Sequence, residues 1–136
     1  MLRDYEAVLK AAADPNRARI LKMLEGGELC VCQIVAVLGL STSTVSKHLS
    51  LLRVAGLVEE RKQGRWVHLR LAEERVNDYA LPLLSLVRGW IKKDAIIRAD
   101  AERVAHVRRM PVEELCGMGA VAVGRKLAVA KGGARG

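Results

Sequence analysis

Two cysteines with one residue between them, Cys30 and Cys32, stand in Glu28-Leu29-Cys30-Val31-Cys32, and a third, Cys116, lies far along the chain in Leu115-Cys116-Gly117-Met118-Gly119. Thiolates are soft ligands that select thiophilic ions. At a helix start they are also favoured over thiols, because free backbone amides and the helix dipole stabilise negative charge there. A buried cysteine otherwise serves as a small apolar core residue. Two in three positions fit that role poorly, since residues i and i+2 of a regular helix point about 200° apart. With both cysteines in a helix, one ion reaching both sulfurs requires the first turn to unwind or tilt. That distortion would pass to whatever the helix leads into and could shift a second activity.

What it leads into is a second set of functional residue types. Ser41 is a good N-cap for a helix over about 42–54. On that helix Val45, Leu49 and Leu52 cluster on one side, with His48 at their edge. Ser43, Lys47 and Ser50 lie opposite, flanked by Thr44 and Ser46, with Thr42 in the first turn. Short polar and basic side chains of this kind reach base edges and phosphates when a helix enters a major groove. A solvated helix face has the same composition. The combination with Arg61, Lys62 and Arg65 around the tip of a following hairpin is much more specific, because a basic tip is placed to lie along a phosphate backbone. Trp66 packs beside that tip in this reading; His48 is read as half-buried and His68 as a solvated or packing strand residue, neither as a ligand.

The elements that must position these groups follow from local signals. Tyr5, Val8, Leu9 and Ala12 give a first helix over 4–13. Asp14-Pro15 ends it and caps a second over about 15–25, which buries Ile20, Leu21 and Leu24 and stops at Gly26-Gly27. Val31 to Leu38 form a third helix closed by Gly39. The helix after Ser41 ends before Gly56, and LVEERK and RWVHLRL read as strands flanking a turn at Gln63-Gly64. A long helix is predicted from about residue 78, with Pro82 in its first turn and Leu83, Leu84, Val87, Trp90, Ile91 and Ala95 along one stripe.

The fold class predicted is mainly α with a small β-hairpin: a winged helix-turn-helix, dimerised through the N- and C-terminal helices. Those helices carry more apolar face than one small winged domain covers, so a homodimer is expected. Residues 1–110 form one DNA-binding and dimerisation domain. Residues 111–136, ending rich in Gly, Ala and basic residues, form a loosely ordered C-terminal tail that carries Cys116.

Composition agrees. The chain has 136 residues, enough for one domain with a core, and a formal charge of +8 suited to a polyanion such as double-stranded DNA. Apolar residues make up 51% and aromatics 3%, with no phenylalanine, so the core is Leu, Val, Ile and Ala, which favours packed helices. No run of eighteen apolar residues would span a membrane, and the N-terminus lacks a secretory pattern. Three cysteines cannot all pair, and adjacent Cys-x-Cys thiols are badly placed to bridge each other; a reducing cytoplasm is the expected home. No Gly-rich phosphate loop or base-and-nucleophile set accompanies the thiols, so an enzyme is not expected.

Glu28-Leu29-Cys30-Val31-Cys32, Ser46-Lys47-His48-Leu49 with Leu51-Leu52-Arg53, Gly56-Leu57, and Arg61-Lys62-Gln63-Gly64-Arg65-Trp66-Val67-His68 closely resemble the ArsR/SmtB family of bacterial metal-responsive repressors. The resemblance covers roughly residues 4–100 and is strongest to the arsenical-resistance repressors. It implies a dimeric repressor that leaves its operator when As(III) or Sb(III) binds Cys30 and Cys32, with the helix over 42–54 reading the groove. Two positions depart from the pattern: Gln33 stands where arsenic sensors carry Asp, and Val35 where they carry a third cysteine. Trivalent arsenic favours three sulfurs, and Cys116, from its own protomer or the other, is the remaining candidate. Cd(II) or Pb(II) at Cys30, Cys32 and Cys116 is the alternative within the family, and reversible thiol oxidation is another. The last-helix zinc site of some relatives is not expected, since Asp78, Asp94, Asp100, Glu102 and His106 include no Asp-x-His pair.

Overall fold

The computed structural model describes residues 1–117 of the chain. The N-terminal half forms where the local signals put it. Helix α1 (Leu2–Ala13) ends at Asp14, whose carboxylate accepts the backbone N–H groups of Asn16 and Arg17 at 2.9 and 3.1 Å and so starts α2 (Pro15–Leu24). A short strand β1 (Leu29–Cys30) runs directly into α3 (Val31–Leu38). Gly39 closes α3 in the left-handed conformation (φ 68°), its N–H donating to the Val35 carbonyl at 2.9 Å. Ser41 then caps α4 (Thr42–Val54), accepting the Thr44 N–H.

Strands β2 (Val58–Gln63) and β3 (Trp66–Leu71) pair antiparallel, with Gln63 opposite Trp66 at the closed end. The turn residues are therefore Gly64 and Arg65, one position beyond the predicted tip, and Gly64 supplies the positive φ (61°) that a tight hairpin turn needs. The sheet has a third strand that periodicity could not announce. Two-residue β1 lies on the other edge of β3, giving the order β1-β3-β2, with Leu29 opposite Leu69 and Cys30 opposite His68.

The single long helix predicted from residue 78 is two helices, α5 (Ala80–Arg88) and α6 (Ala95–Arg108). The apolar stripe continues across the break, but two local signals outweigh it. Gly89 ends α5, and Asp94 caps α6 by accepting the N–H groups of Ile96 and Ile97 at 2.9 and 3.3 Å. Between them Ile91 takes a positive φ (49°), which reverses the chain. Helix α6 folds back against α2 and α3 of its own chain. A nearly buried ion pair holds it there: Arg19 donates twice to Asp100, at 2.8 and 2.9 Å, and Asp100 is 2% exposed.

The final described element, α7 (Val112–Gly117), packs on α3 with Leu115 fully buried. The tail predicted to be loosely ordered falls mostly on residues 118–136, which lie outside the described residues. The core joins Ile20 and Leu21 of α2, Ile34 and Val35 of α3, Val45 and Leu52 of α4, and Leu69 of β3. Its floor is the face of α4 opposite the polar one, so the polar face is set by packing.

Candidate thiol site and DNA-reading surface

Cys30 is not in the helix. Its backbone is extended (φ −75°, ψ 151°), making it both the last residue of β1 and the N-cap of α3, while Cys32 sits in the first helical turn. The 200° opposition expected of two helical residues therefore does not apply. No unwinding is required, so a strained first turn, expected from sequence, does not couple the thiols to α4. The Sγ atoms of Cys30, Cys32 and Cys116 all lie within 4.8 Å of one another.

Cys116 arrives on α7 of the same chain, and Cys32 and Cys116 are joined as a disulfide with Cα atoms 5.6 Å apart. Cys30 is free and buried, 1% exposed. The position is fixed from behind by Gln33, itself 8% exposed, whose side-chain carbonyl accepts the Cys30 N–H at 2.8 Å. Of the acidic residues considered for a last-helix metal site, Asp78 pairs with Arg75, Asp94 caps α6 and Asp100 holds Arg19.

The polar face of α4 is open. Thr42, Ser43, Thr44, Ser46 and Lys47 are all exposed, while Val45, Leu49 and Leu52 are buried. His48, at the edge of the buried face, lies 3.2 Å from the Arg17 guanidinium through its Nδ1. Arg17 also donates to the carbonyls of Ala11 and Lys10, so it ties the α1–α2 corner to the middle of α4.

Arg61, Lys62 and Arg65 are exposed on the hairpin. Arg65 carries its guanidinium 4.8 Å over the Trp66 ring, a cation–π contact that stiffens the tip. Arg61 is not free. It makes two contacts to the Glu28 carboxylate, at 2.5 and 3.3 Å, and one to Gln63 at 3.1 Å. The Arg61 hydrogen bond holds the Glu28 carboxyl below its ordinary range, against a smaller opposing effect of burial.

Sequence reasoning missed the roles of two residues here. Glu28 links the strand bearing Cys30 to the hairpin, and Gln33 anchors the Cys30 backbone. The capping pattern at Gln33, three residues after the N-cap, was the available signal for the second. Nothing local signalled the first, because it depends on β1 joining the sheet. In that sheet Cys30, His68 and Arg61 fall in one row across the three strands.

Comparison with known proteins agrees with this arrangement. Residues 14–60 match the family described as bacterial regulatory protein, arsR family. The arsenical resistance operon repressor of Escherichia coli (strain K12) is 36% identical over 112 residues, spanning 80% of this chain and 86% of that protein. A cadmium resistance transcriptional regulatory protein CadC homolog from Staphylococcus aureus is 40% identical over 74 residues, 54% of this chain and 61% of its own length. Among solved structures, HlyU from Vibrio cholerae N16961 superposes with a TM-score of 0.53 at 34% identity, covering 62% of this chain and 88% of that one. The polar helix, the hairpin and these relatives converge: the chain belongs to the arsR family of bacterial regulatory proteins and is a DNA-binding transcriptional regulator with a winged helix-turn-helix, not an enzyme.

Proposed function

We propose that this chain is a homodimeric repressor that occupies operator DNA in a reducing cytoplasm and releases it when As(III) or Sb(III) binds the thiolates of Cys30, Cys32 and Cys116. The observation that carries the reading is the convergence of three sulfurs within 4.8 Å. Trivalent arsenic and antimony are three-coordinate and pyramidal with soft ligands, and a reduced triplet of this spacing offers that geometry from one chain. The arsenical resistance repressor among the relatives supports the choice of ion.

Thr42, Ser43, Thr44, Ser46 and Lys47 would enter the major groove, and Arg61, Lys62 and Arg65 would meet phosphates beside it. The site lies where ligation can bear on both. Cys30 pairs with β3 of the hairpin, and α3 packs directly on α4. The dimer reading rests on the α1–α5 face. There Leu9 of α1 and Trp90 and Ile91, just past α5, line one apolar hollow and are 39%, 51% and 46% exposed, an apolar surface typical of a self-complementary interface.

Fluorescence anisotropy of the reduced protein on DNA from upstream of its own gene tests the proposal. Arsenite and antimonite are expected to release the DNA, and Cys30→Ser is expected to abolish release. Tight binding indifferent to arsenite but released by Cd(II) or Pb(II) would move the site to those ions, the alternative that the cadmium resistance relative favours. A second reading has its own observation, the bond between Cys32 and Cys116. If oxidation alone releases DNA in metal-free buffer, the chain is a thiol-redox regulator.

A further inference from the structure

Of the three cations around the hairpin tip, Lys62 and Arg65 make no ion pair among the described residues, while Arg61 is held by Glu28. The contact is a fork. Nε and Nη2 of Arg61 donate to the two oxygens of one carboxylate, at 3.3 and 2.5 Å, and Nη1 donates to the Gln63 side-chain carbonyl at 3.1 Å. Glu28 does not belong to the hairpin. It stands just before β1 and reaches diagonally past β3 to β2. Its backbone is fixed from behind by α6, where Arg108 donates to the carbonyls of Glu28 and Gly27 at 3.1 and 3.2 Å.

A carboxylate and a phosphate present the same pair of acceptor oxygens to a guanidinium fork. The edge of Arg61 suited to grip a phosphate already grips Glu28, so the two contacts exclude each other. Resting on the reading of the hairpin as a phosphate-binding wing, we infer that Glu28 is an internal competitor of DNA. Its carboxylate occupies the phosphate site of Arg61 in the free protein and is displaced when a duplex docks. Glu28 thereby limits affinity without touching a base.

The exchange has a defined signature. Arg61 still neutralises a phosphate in the complex, so the number of counterions released is that of a fully engaged wing. What changes is affinity, which is lowered on every sequence alike by the cost of opening the pair. With Arg61 49% and Glu28 29% exposed, the pair is solvated enough to open, and its fork geometry makes it strong enough to measure. A chain of charge +8 is drawn to any duplex, and an anion built into the wing keeps that hold reversible.

The test is a double-substitution cycle on the reduced, ion-free protein, with circular dichroism to establish that each variant is folded. Fluorescence anisotropy reads its binding to two labelled duplexes, one from upstream of its own gene and one unrelated, across a series of potassium chloride concentrations. Glu28→Gln keeps the side-chain length and removes the competing charge. It should bind both duplexes about threefold more tightly, with the wild-type salt slope. In an Arg61→Gln background the same change should gain less than about 1.5-fold, because the pair it opens is already gone. An equal gain in both backgrounds overturns the competitor, since Glu28 would then act only as a distant negative charge. Unchanged or weaker binding by Glu28→Gln overturns it too, and makes Glu28 a residue that holds Arg61 ready for DNA. Failure of the wing reading is a different result, in which Arg61→Gln alone keeps wild-type affinity and salt slope on both duplexes, and the competitor falls with it.

Discussion

The side-chain carbonyl of Gln33 accepts the backbone N–H of Cys30 at 2.8 Å, with both residues buried. Cys30 leaves the sheet at this point and cannot use its N–H within α3, so Gln33 supplies the partner that a helix start otherwise lacks. Gln33→Ala strands that amide without a partner. The expected loss is about 1–3 kcal/mol of stability, measured by urea unfolding of the reduced protein, accompanied by weaker arsenite binding. Gln33→Glu keeps an acceptor and should recover most of the loss. An unchanged midpoint in Gln33→Ala would show that water replaces the amide.

Breaking the Arg19–Asp100 pair should act at a distance. Asp100→Ala leaves a guanidinium of low exposure (19%) facing α6 without its carboxylate. A cost of about 3 kcal/mol is expected, the low end for a broken buried pair, because Arg19 retains some solvent. Since α6 leads directly to the helix carrying Cys116, arsenite affinity should fall alongside. Lost stability with intact arsenite affinity would mean that α7 docks independently of α6.

On the hairpin, Arg61→Ala removes the proposed phosphate contact and also frees Glu28. DNA affinity should fall similarly on specific and unrelated sequences, and the slope of log affinity against log salt should shrink by about one unit. Lys47→Ala, on the groove-facing helix, should do the same. A loss confined to one base position of the operator would instead make either residue a base reader.

Acid sensitivity follows from two carboxylates. Glu59 accepts the N–H groups of Glu74 and Glu73 at 3.0 and 2.9 Å, and these bonds, with Arg70 behind them, hold its carboxyl below the ordinary 4.5 despite opposing burial. Glu28 is lowered similarly by Arg61. A depressed carboxyl contributes its full stability above the ordinary value, and that contribution is lost as pH falls from there through the lower folded value. Stability should therefore decline below about pH 4.5 and do so less steeply in Glu59→Gln. Equal acid limbs in variant and wild type would contradict the role of the Glu59 bonds in pinning the segment after β3.

What the sequence disclosed, it disclosed through local chemistry. The N-caps at Asp14 and Ser41, the stop at Gly39, the polar face from Thr42 to Lys47 and the basic hairpin all depend on residues within a few positions of each other. The arrangement around Cys30 does not. A two-residue strand has no alternation to read, yet it places Cys30 outside the helix and overturns the expected strain. The break at Gly89–Asp94 was written in a stop and a cap that the longer apolar stripe concealed. Glu28 gained its partner, and Cys116 its place, only through contacts across 33 and 84 residues.

The separation of 84 residues between Cys32 and Cys116 encloses α4, the hairpin, α5 and α6. Any bond across those two sulfurs, whether a disulfide or a shared ion, converts the DNA-reading unit from an open chain into a ring. Closing a ring of this size removes about 4.5 kcal/mol of conformational freedom from the unfolded ensemble. An inducer that bridged these sulfurs as proposed would act on the chain's topology as well as on its surface: the released repressor should then be the harder one to unfold, and the reduced, ion-free form the one whose chain is still open.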